Sequence, residues 1–419
     1  MGSMLQIQSA FGVIALLAFA YSISEKRDAV SWRLVALSLA LTAALAIILL
    51  KIPPVRIAVA QVNGAVDAIA AATRAGTTFV FGYLGGGALP FDPKTPGSEF
   101  VLAFNGLPIV LVMSVLTTLL FYWKILPLVV RGFSWALERT LGIGGAVGLS
   151  TAANIFVGNV EAPLFIRPYL ARLTRAELFI VMTGGMAGIA GTVLVLYATM
   201  LQPLIPDVAG HLIVASVLGA PAAILVSALM VPETKKRKTR AEIEEPELTA
   251  TSTMDAITRG TTDGLALLLN IVAMLLVLIA LVHLANAILS VIPDIAGAPV
   301  TLQRVLGLLM APVCWLMGIP WSEATTAGSL MGIKTILNEF IAYVELSKLP
   351  AGALSDRSRL IMLYAMCGFA NFASLGIMIA GLTVMAPQRR AEIVSLGLKT
   401  IVSGTLATMT IGAIIGVLN

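Results

Sequence analysis

Apolar stretches long enough to cross a bilayer recur along the whole chain. A spanning helix needs about 17–25 predominantly apolar residues. Gln6–Ser22, Trp32–Leu50, Phe100–Trp123, Leu178–Leu204, His211–Val231, Ile257–Ile292, Leu360–Ala386 and Ile393–Leu418 meet that length, which predicts eight spans. Glu25–Asp28 is a charged turn, and Lys51–Pro54 closes the second span with a proline pair. Other stretches are apolar on one face only. Val55, Val59, Val62, Val66 and Ile69 recur at helical spacing among Gln61, Asn63, Asp67 and Arg74. Val55–Gly82 therefore predicts an amphipathic helix lying in the membrane interface. Lys124–Thr140, with Arg131, Glu138 and Arg139 on a polar face, and Thr301–Met317 predict two more. Leu84–Ser98, with three consecutive glycines, Pro90 and Pro96, reads as a loop. Pro232–Ala256, carrying KKRKTR and then EIEEPE, is the water-soluble stretch.

Two regions fit neither class. Leu141–Leu170 and Pro320–Leu349 are apolar at their ends and polar or glycine-rich in the middle. They predict re-entrant hairpins, whose exposed backbone needs protein or water around the tip. Each precedes an apolar segment broken by small and polar residues: MTGGMAGIAGTV at 182–193 and CGFANFASLGI at 367–377. The order amphipathic helix, hairpin, broken span, span occurs twice. Most Lys and Arg fall on the side of Pro232–Ala256, which places that loop in the cytoplasm and both termini outside. The two repeats then run in opposite directions, the inverted plan of secondary transporters.

Composition narrows the class. The chain is 58% hydrophobic and 12% charged, against about 25% charged in soluble domains; mean hydropathy is +0.96. The chain reads as one all-α integral membrane domain set in the lipid bilayer. The net charge of +5 is spread over loops and suits membrane topology, so no nucleic-acid partner is indicated. Cys314 and Cys367 read as separate buried thiols, and His211 and His283 as structural. Met1–Met4 reads as an appended segment, and the first apolar stretch as a mature helix, not a cleaved signal.

The polar residues within apolar segments carry the chemistry. A carboxylate at membrane depth is costly unless paired, solvated or binding something. Glu161 sits with Asn154, Gly158 and Asn159 in the first hairpin, and Glu339 with Lys334, Thr335 and Asn338 in the second. A third group, Phe369 to Ser374, places Asn371 and Ser374 at i, i+3. Amides donate and accept, whereas carboxylates only accept. Together these tips suit a flat heteroaromatic edge or a set of hydroxyls. Gly184, Gly185, Gly188 and Gly191 let a span unwind and expose carbonyls, good ligands for a hard monovalent cation. A structural ion pair with Lys334 or an arginine is the bland alternative for a buried glutamate here.

Four segments resemble the concentrative nucleoside transporters: QVNGAVDAIAAATRAGTTFVFGYLGGGALPF from Gln61, VGNVEAPLFIRPYL from Val157, IKTILNEFIAY from Ile333 and CGFANFASLGI from Cys367. The likeness runs in order from about Lys51 to Leu418. It implies a homotrimeric symporter of the bacterial inner membrane with a scaffold and a mobile transport domain. The scaffold would be residues 5–123 and 257–292, the transport domain 124–231 and 301–419, and 232–256 a cytoplasmic loop. By motif position, Asn159, Val160 and Glu161 hold the nucleobase. Glu339, Asn371 and Ser374 hold the ribose, with Phe369 and Val193 packed nearby. Asn154, Val157, Gly188 and Ile189 form the site for sodium, the coupling ion; no other cofactor is implied. The chain departs from common family residues at Asn159, Val160 and Gly188, where some relatives have glutamine, a hydroxyl residue and serine. Proton coupling is the alternative. An intramembrane enzyme lacks support from any metal-ligand spacing, and a non-transporting gate-type scaffold is the third class.

Overall fold

The computed structural model describes residues 2–92, 100–235, 250–295 and 297–419. Apart from one isolated bridge, Ile295 to Ala298, regular structure among these residues is helical. The first half holds α1 (Gly2–Ser22), α2 (Trp32–Lys51), α3 (Pro53–Phe81), α4 (Leu102–Asn105), α5 (Ile109–Tyr122), α6 (Ile125–Leu141), α7 (Gly145–Ala153), α8 (Glu161–Leu164), α9 (Arg175–Ala187), α10 (Gly191–Leu201) and α11 (Val208–Met230). The second holds α12 (Thr253–Leu289), α13 (Leu302–Leu316), α14 (Trp321–Ile336), α15 (Glu339–Lys348), α16 (Asp356–Met366), α17 (Phe372–Met385) and α18 (Arg390–Leu418).

Among the described residues, eight helical stretches are long and apolar enough to cross a membrane. By length and composition Pro53–Gly85 is one of them, although α3 has the one-sided pattern of an interfacial helix. Leu360–Ala386 is instead divided into α16 and α17 around Cys367–Asn371. Phe100–Trp123 is also interrupted, between α4 and α5, where Pro108 lacks the N–H a continuous helix would use. Thr253–Ala256, assigned to the loop, forms the first turn of α12, because Ser252 caps the N–H of Asp255. Gly2–Met4 belongs to α1 and is not outside the fold. Most of KKRKTR, all of EIEEPE, and residues 93–99 of the first loop lie outside the described residues.

Burial separates centre from periphery. The most apolar stretch of α11 is 94% buried and that of Arg175–Leu201 is 89%, against 6% for α12. All-round apolar α11 is thus enclosed by protein, while α12 presents its apolar surface outward, as a lipid- or partner-facing helix does. Glu25, between α1 and α2, ties this core at one end. Its carboxylate accepts from Arg175 at 2.9 and 3.0 Å and from Lys399 at 2.5 Å. These two cations, Arg175 first, hold the Glu25 carboxyl down at about 2.

Both hairpins form. In the first, α7 leads to a tip at 154–160 and returns through α8. In the second, α14 and α15 meet at Leu337–Asn338. α13 precedes it at an angle of 118° to α14, with Gly318 in the left-handed region at the connection (φ 96°). The two helices of this V touch backbone to backbone: a Cβ on Gly328 would lie 2.4 Å from Gly307 O and 2.8 Å from Ala311 N. No side chain can yield there. Gly328→Val is expected to open the V and destabilise the protein by about 3 kcal/mol or more, read as a lower melting temperature of the detergent-purified protein.

Candidate functional site

Two broken helices and two hairpin tips converge. α9 ends at Ala187 and α10 begins at Gly191; α16 ends at Met366 and α17 begins at Phe372. The unwinding is shorter than the glycine run suggests, since Gly184 and Gly185 remain helical and buried. The breaks are bonded to each other, with Phe369 N–H donating to Gly188 O at 3.1 Å. The first hairpin is bonded to the same place, with Gly191 N–H donating to Phe156 O at 3.0 Å. Gly185 lets the tip settle on α9, because a Cβ there would lie 3.0 Å from Asn159 Cβ.

Glu339 is the centre of the second half-site. It is 5% exposed and occupies the first position of α15, behind the cap Asn338, whose side chain accepts from Ile341 N–H at 2.8 Å. Tyr197 OH donates to Glu339 Oε1 at 2.8 Å, and Asn371 Nδ2 donates to Glu339 Oε2 at 3.1 Å. Asn371 is in turn the cap of α17, its Oδ1 accepting from Ser374 N–H at 2.8 Å. Two helix N-termini therefore meet at one carboxylate, where unsatisfied N–H groups and the helix dipole favour negative charge. Each Glu339 oxygen retains lone-pair capacity for a further donor.

The first tip is arranged differently. Asn154 and Asn159 are buried, and Asn159 Nδ2 donates to Ser374 O at 3.4 Å, joining the two halves. Of the two hairpin glutamates Glu339 is the buried one, and Glu161 is exposed. Its Oε2 lies over Gly158, 2.3 Å from where a Cβ would stand, so glycine makes room for the curled side chain. Val160 packs on α17, where a Cβ on Gly381 would lie 2.6 Å from its Cγ1. Val193 is buried on α10, while Phe369 and Ser374 are half-buried.

The four residues expected around a cation also fall together. A Cβ on Gly188 would lie 3.3 Å from Asn154 O, and one on Gly184 3.3 Å from Asn154 Nδ2. Val157, three residues after Asn154, and Ile189, next to Gly188, are buried. The donors on offer are backbone carbonyls and one amide, a hard oxygen set that fits a monovalent cation better than a transition metal. Gly188 O already accepts from Phe369 and has one lone pair left. Ser150 Oγ, Thr151 Oγ1 and Asn154 Nδ2 are buried without a hydrogen-bond partner among the described residues.

Tyr197 escaped the sequence reading. A phenol in an apolar span counts as one more large side chain; the available signal was its position four residues after Val193, one turn along α10. Lys334 lies within electrostatic reach of Glu339 but donates no hydrogen bond to it, since its Nζ has no such partner among the described residues. Cys314 and Cys367 are buried free thiols, as read.

Three family descriptions cover this architecture: "Na+ dependent nucleoside transporter N-terminus" over residues 11–84, "Gate: Nucleoside recognition" over 103–204 and "Na+ dependent nucleoside transporter C-terminus" over 211–416. A nucleoside permease of Helicobacter pylori is 34% identical over 97% of this chain and 96% of its own. The chain belongs to the concentrative nucleoside transporter family. An uncharacterised transporter of Haemophilus influenzae is 37% identical over 98% of this chain and 97% of its own. Sodium/nucleoside cotransporter 1 of Mus musculus is 35% identical over 99% of this chain, which spans 64% of that protein. Among solved structures, CNTnw in an inward-facing substrate-bound state is 36% identical with a TM-score of 0.90, covering 98% of both chains. A CNTnw variant in an outward-facing state reaches 0.92, covering 99% of this chain and 98% of its own. The family is that of Na+ dependent nucleoside transporters, multi-pass membrane proteins and not enzymes.

Proposed function

We propose that the chain imports nucleosides as a sodium-coupled symporter. The observation that carries this reading is Glu339, a buried carboxylate at the junction of two helix N-termini, held by Tyr197 and Asn371. Such a group accepts hydrogen bonds from vicinal hydroxyls and rejects a ligand that lacks them, because its lone pairs would be left unmet. In this reading Glu339, Asn371 and Ser374 take the ribose, and Phe369 and Val193 flank it. Asn159, Val160 and Glu161 take the base. Asn159 and Glu161 supply donors and acceptors, while Val160 supplies only an apolar surface. Sodium sits among Asn154, Val157, Gly188 and Ile189.

The elevator reading rests on an open cleft of about 780 Å³ between α3–α5 and the outer halves of α10 and α15, lined by Thr73, Arg74, Tyr83, Thr199, Ser347 and Lys348 among others. Residues 5–123 and 257–292 form the scaffold of a homotrimer in a bacterial inner membrane. Residues 124–231 and 301–419 form the moving body, with 232–256 as a cytoplasmic loop. One cation descending 100 mV supplies about 2.3 kcal/mol, and a tenfold gradient adds about 1.4 kcal/mol. The sum supports accumulation of a few hundredfold.

Radiolabelled uridine uptake into proteoliposomes, with sodium and pH gradients imposed separately, tests this. Acceleration by sodium alone is the expected outcome; a signal from the proton gradient alone would replace sodium by protons. Tyr197→Phe removes one donor to Glu339 and leaves the ring packing, so KM for uridine is expected to change by about threefold to thirtyfold.

A further inference from the structure

Lys334 is fully buried in the last turn of α14, five residues before Glu339, and its Nζ meets no hydrogen-bond partner among the described residues. Burying an ammonium without a partner is among the most expensive arrangements available to a side chain. A methionine of similar size would fill the space without that cost. Packing therefore does not account for a lysine here.

The surroundings supply a reason. The ionisable groups in electrostatic reach of the ammonium are Glu339 and the thiol of Cys367. Glu339 is faced by Tyr197 from α10, Lys334 from α14 and Tyr343 from its own helix, with Cys367 at the α16–α17 break. Lys334 is the one cation in that shell among the described residues. Glu339 receives hydrogen bonds from Tyr197 and Asn371 and none from Lys334. The ammonium thus acts on the carboxylate through the low-dielectric interior without occupying its lone pairs.

We propose that Lys334 is a positioning residue for nucleoside binding, the internal counter-charge that keeps Glu339 ionised while leaving the remaining lone pairs of its carboxylate oxygens to accept ribose hydroxyls. A hydrogen-bonded lysine at this place would neutralise the charge but use the acceptors. A cation set one layer back does the first without the second. The proposal rests on the nucleoside reading of the Glu339 site.

The test is uridine binding by calorimetry to purified native protein, Lys334→Met and Lys334→Met/Glu339→Gln, from pH 6 to pH 9. Without the ammonium, a buried carboxylate takes up its proton at higher pH than in the native site. Lys334→Met is expected to bind uridine about tenfold or more weakly at pH 6.5 and to recover affinity as pH rises toward 9. Native affinity should stay level from pH 6 to pH 7.5, where the buried ammonium keeps its proton. The double variant, with neither charge, should melt at a higher temperature than Lys334→Met at pH 9. If Lys334→Met does not fold, a folded double variant supports the same assignment. A Lys334→Met profile parallel to the native one overturns the proposal, as does failure of both variants to fold, because either gives the lysine a packing role. Absence of uridine binding by the native protein would instead remove the nucleoside reading itself.

Discussion

Glu339→Gln is expected to lower uridine uptake in proteoliposomes by about 100-fold, since hydrogen bonds to a charged acceptor are worth about 1.5–3 kcal/mol each, and one hydroxyl loses its partner while the other keeps only a neutral one. The substitution keeps the size of the side chain. Its amide presents one acceptor oxygen where the carboxylate presents two, and its NH₂ opposes the Asn371 Nδ2 that now donates at 3.1 Å. The site would therefore lose a partner for one hydroxyl and gain a repulsive contact with the cap of α17. Uptake by Glu339→Gln at the native rate would show that the ribose lies elsewhere. A deoxynucleoside series on the native protein refines the result. Removing the 2′- or the 3′-hydroxyl should cost affinity in the native protein and little in the variant.

Asn154→Ala should weaken the response to sodium. Asn154 is the one side chain in the expected cation shell that carries an oxygen, beside the carbonyls of Val157, Gly188 and Ile189. Where some relatives use serine, Gly188 contributes only its carbonyl, and one lone pair of that carbonyl is engaged by Phe369. A four-ligand shell that loses one of its oxygens should need about tenfold or more sodium for half-maximal uptake. The measurement is uptake against sodium concentration at fixed uridine. An unchanged sodium response would move the cation away from this tip and revive proton coupling.

Much of the architecture was legible because a bilayer imposes length and polarity together. Spans, hairpins and their order follow from where apolar runs stop, and the repeat follows from the order occurring twice. The breaks were harder. MTGGMAGIAGTV announces that a helix weakens but not where, and the structure unwinds only Gly188–Ala190 while Gly184 and Gly185 stay helical. The second break, at Cys367–Asn371, has no proline to mark it and depends on Asn371 capping α17 and on Phe369 bonding across to Gly188. Glu161 was read as buried because its neighbours in sequence are apolar. Exposure is settled by neighbours in space, and at a hairpin tip they differ. Glu339 and Asn371 could be found because amides and carboxylates in apolar segments are rare. Tyr197 could not, since its ring makes it look like any other large core residue.

The single hydrogen bond from Phe369 N–H to Gly188 O gives the two half-sites a shared coordinate. A cation that fixes the carbonyl of Gly188 also fixes the backbone just ahead of Asn371, and so prepares the cap that meets Glu339. Thermodynamic reciprocity then holds: whatever factor sodium gives to uridine affinity, uridine must give to sodium affinity. A carrier built this way resists leak, because each solute is held weakly until the other is in place.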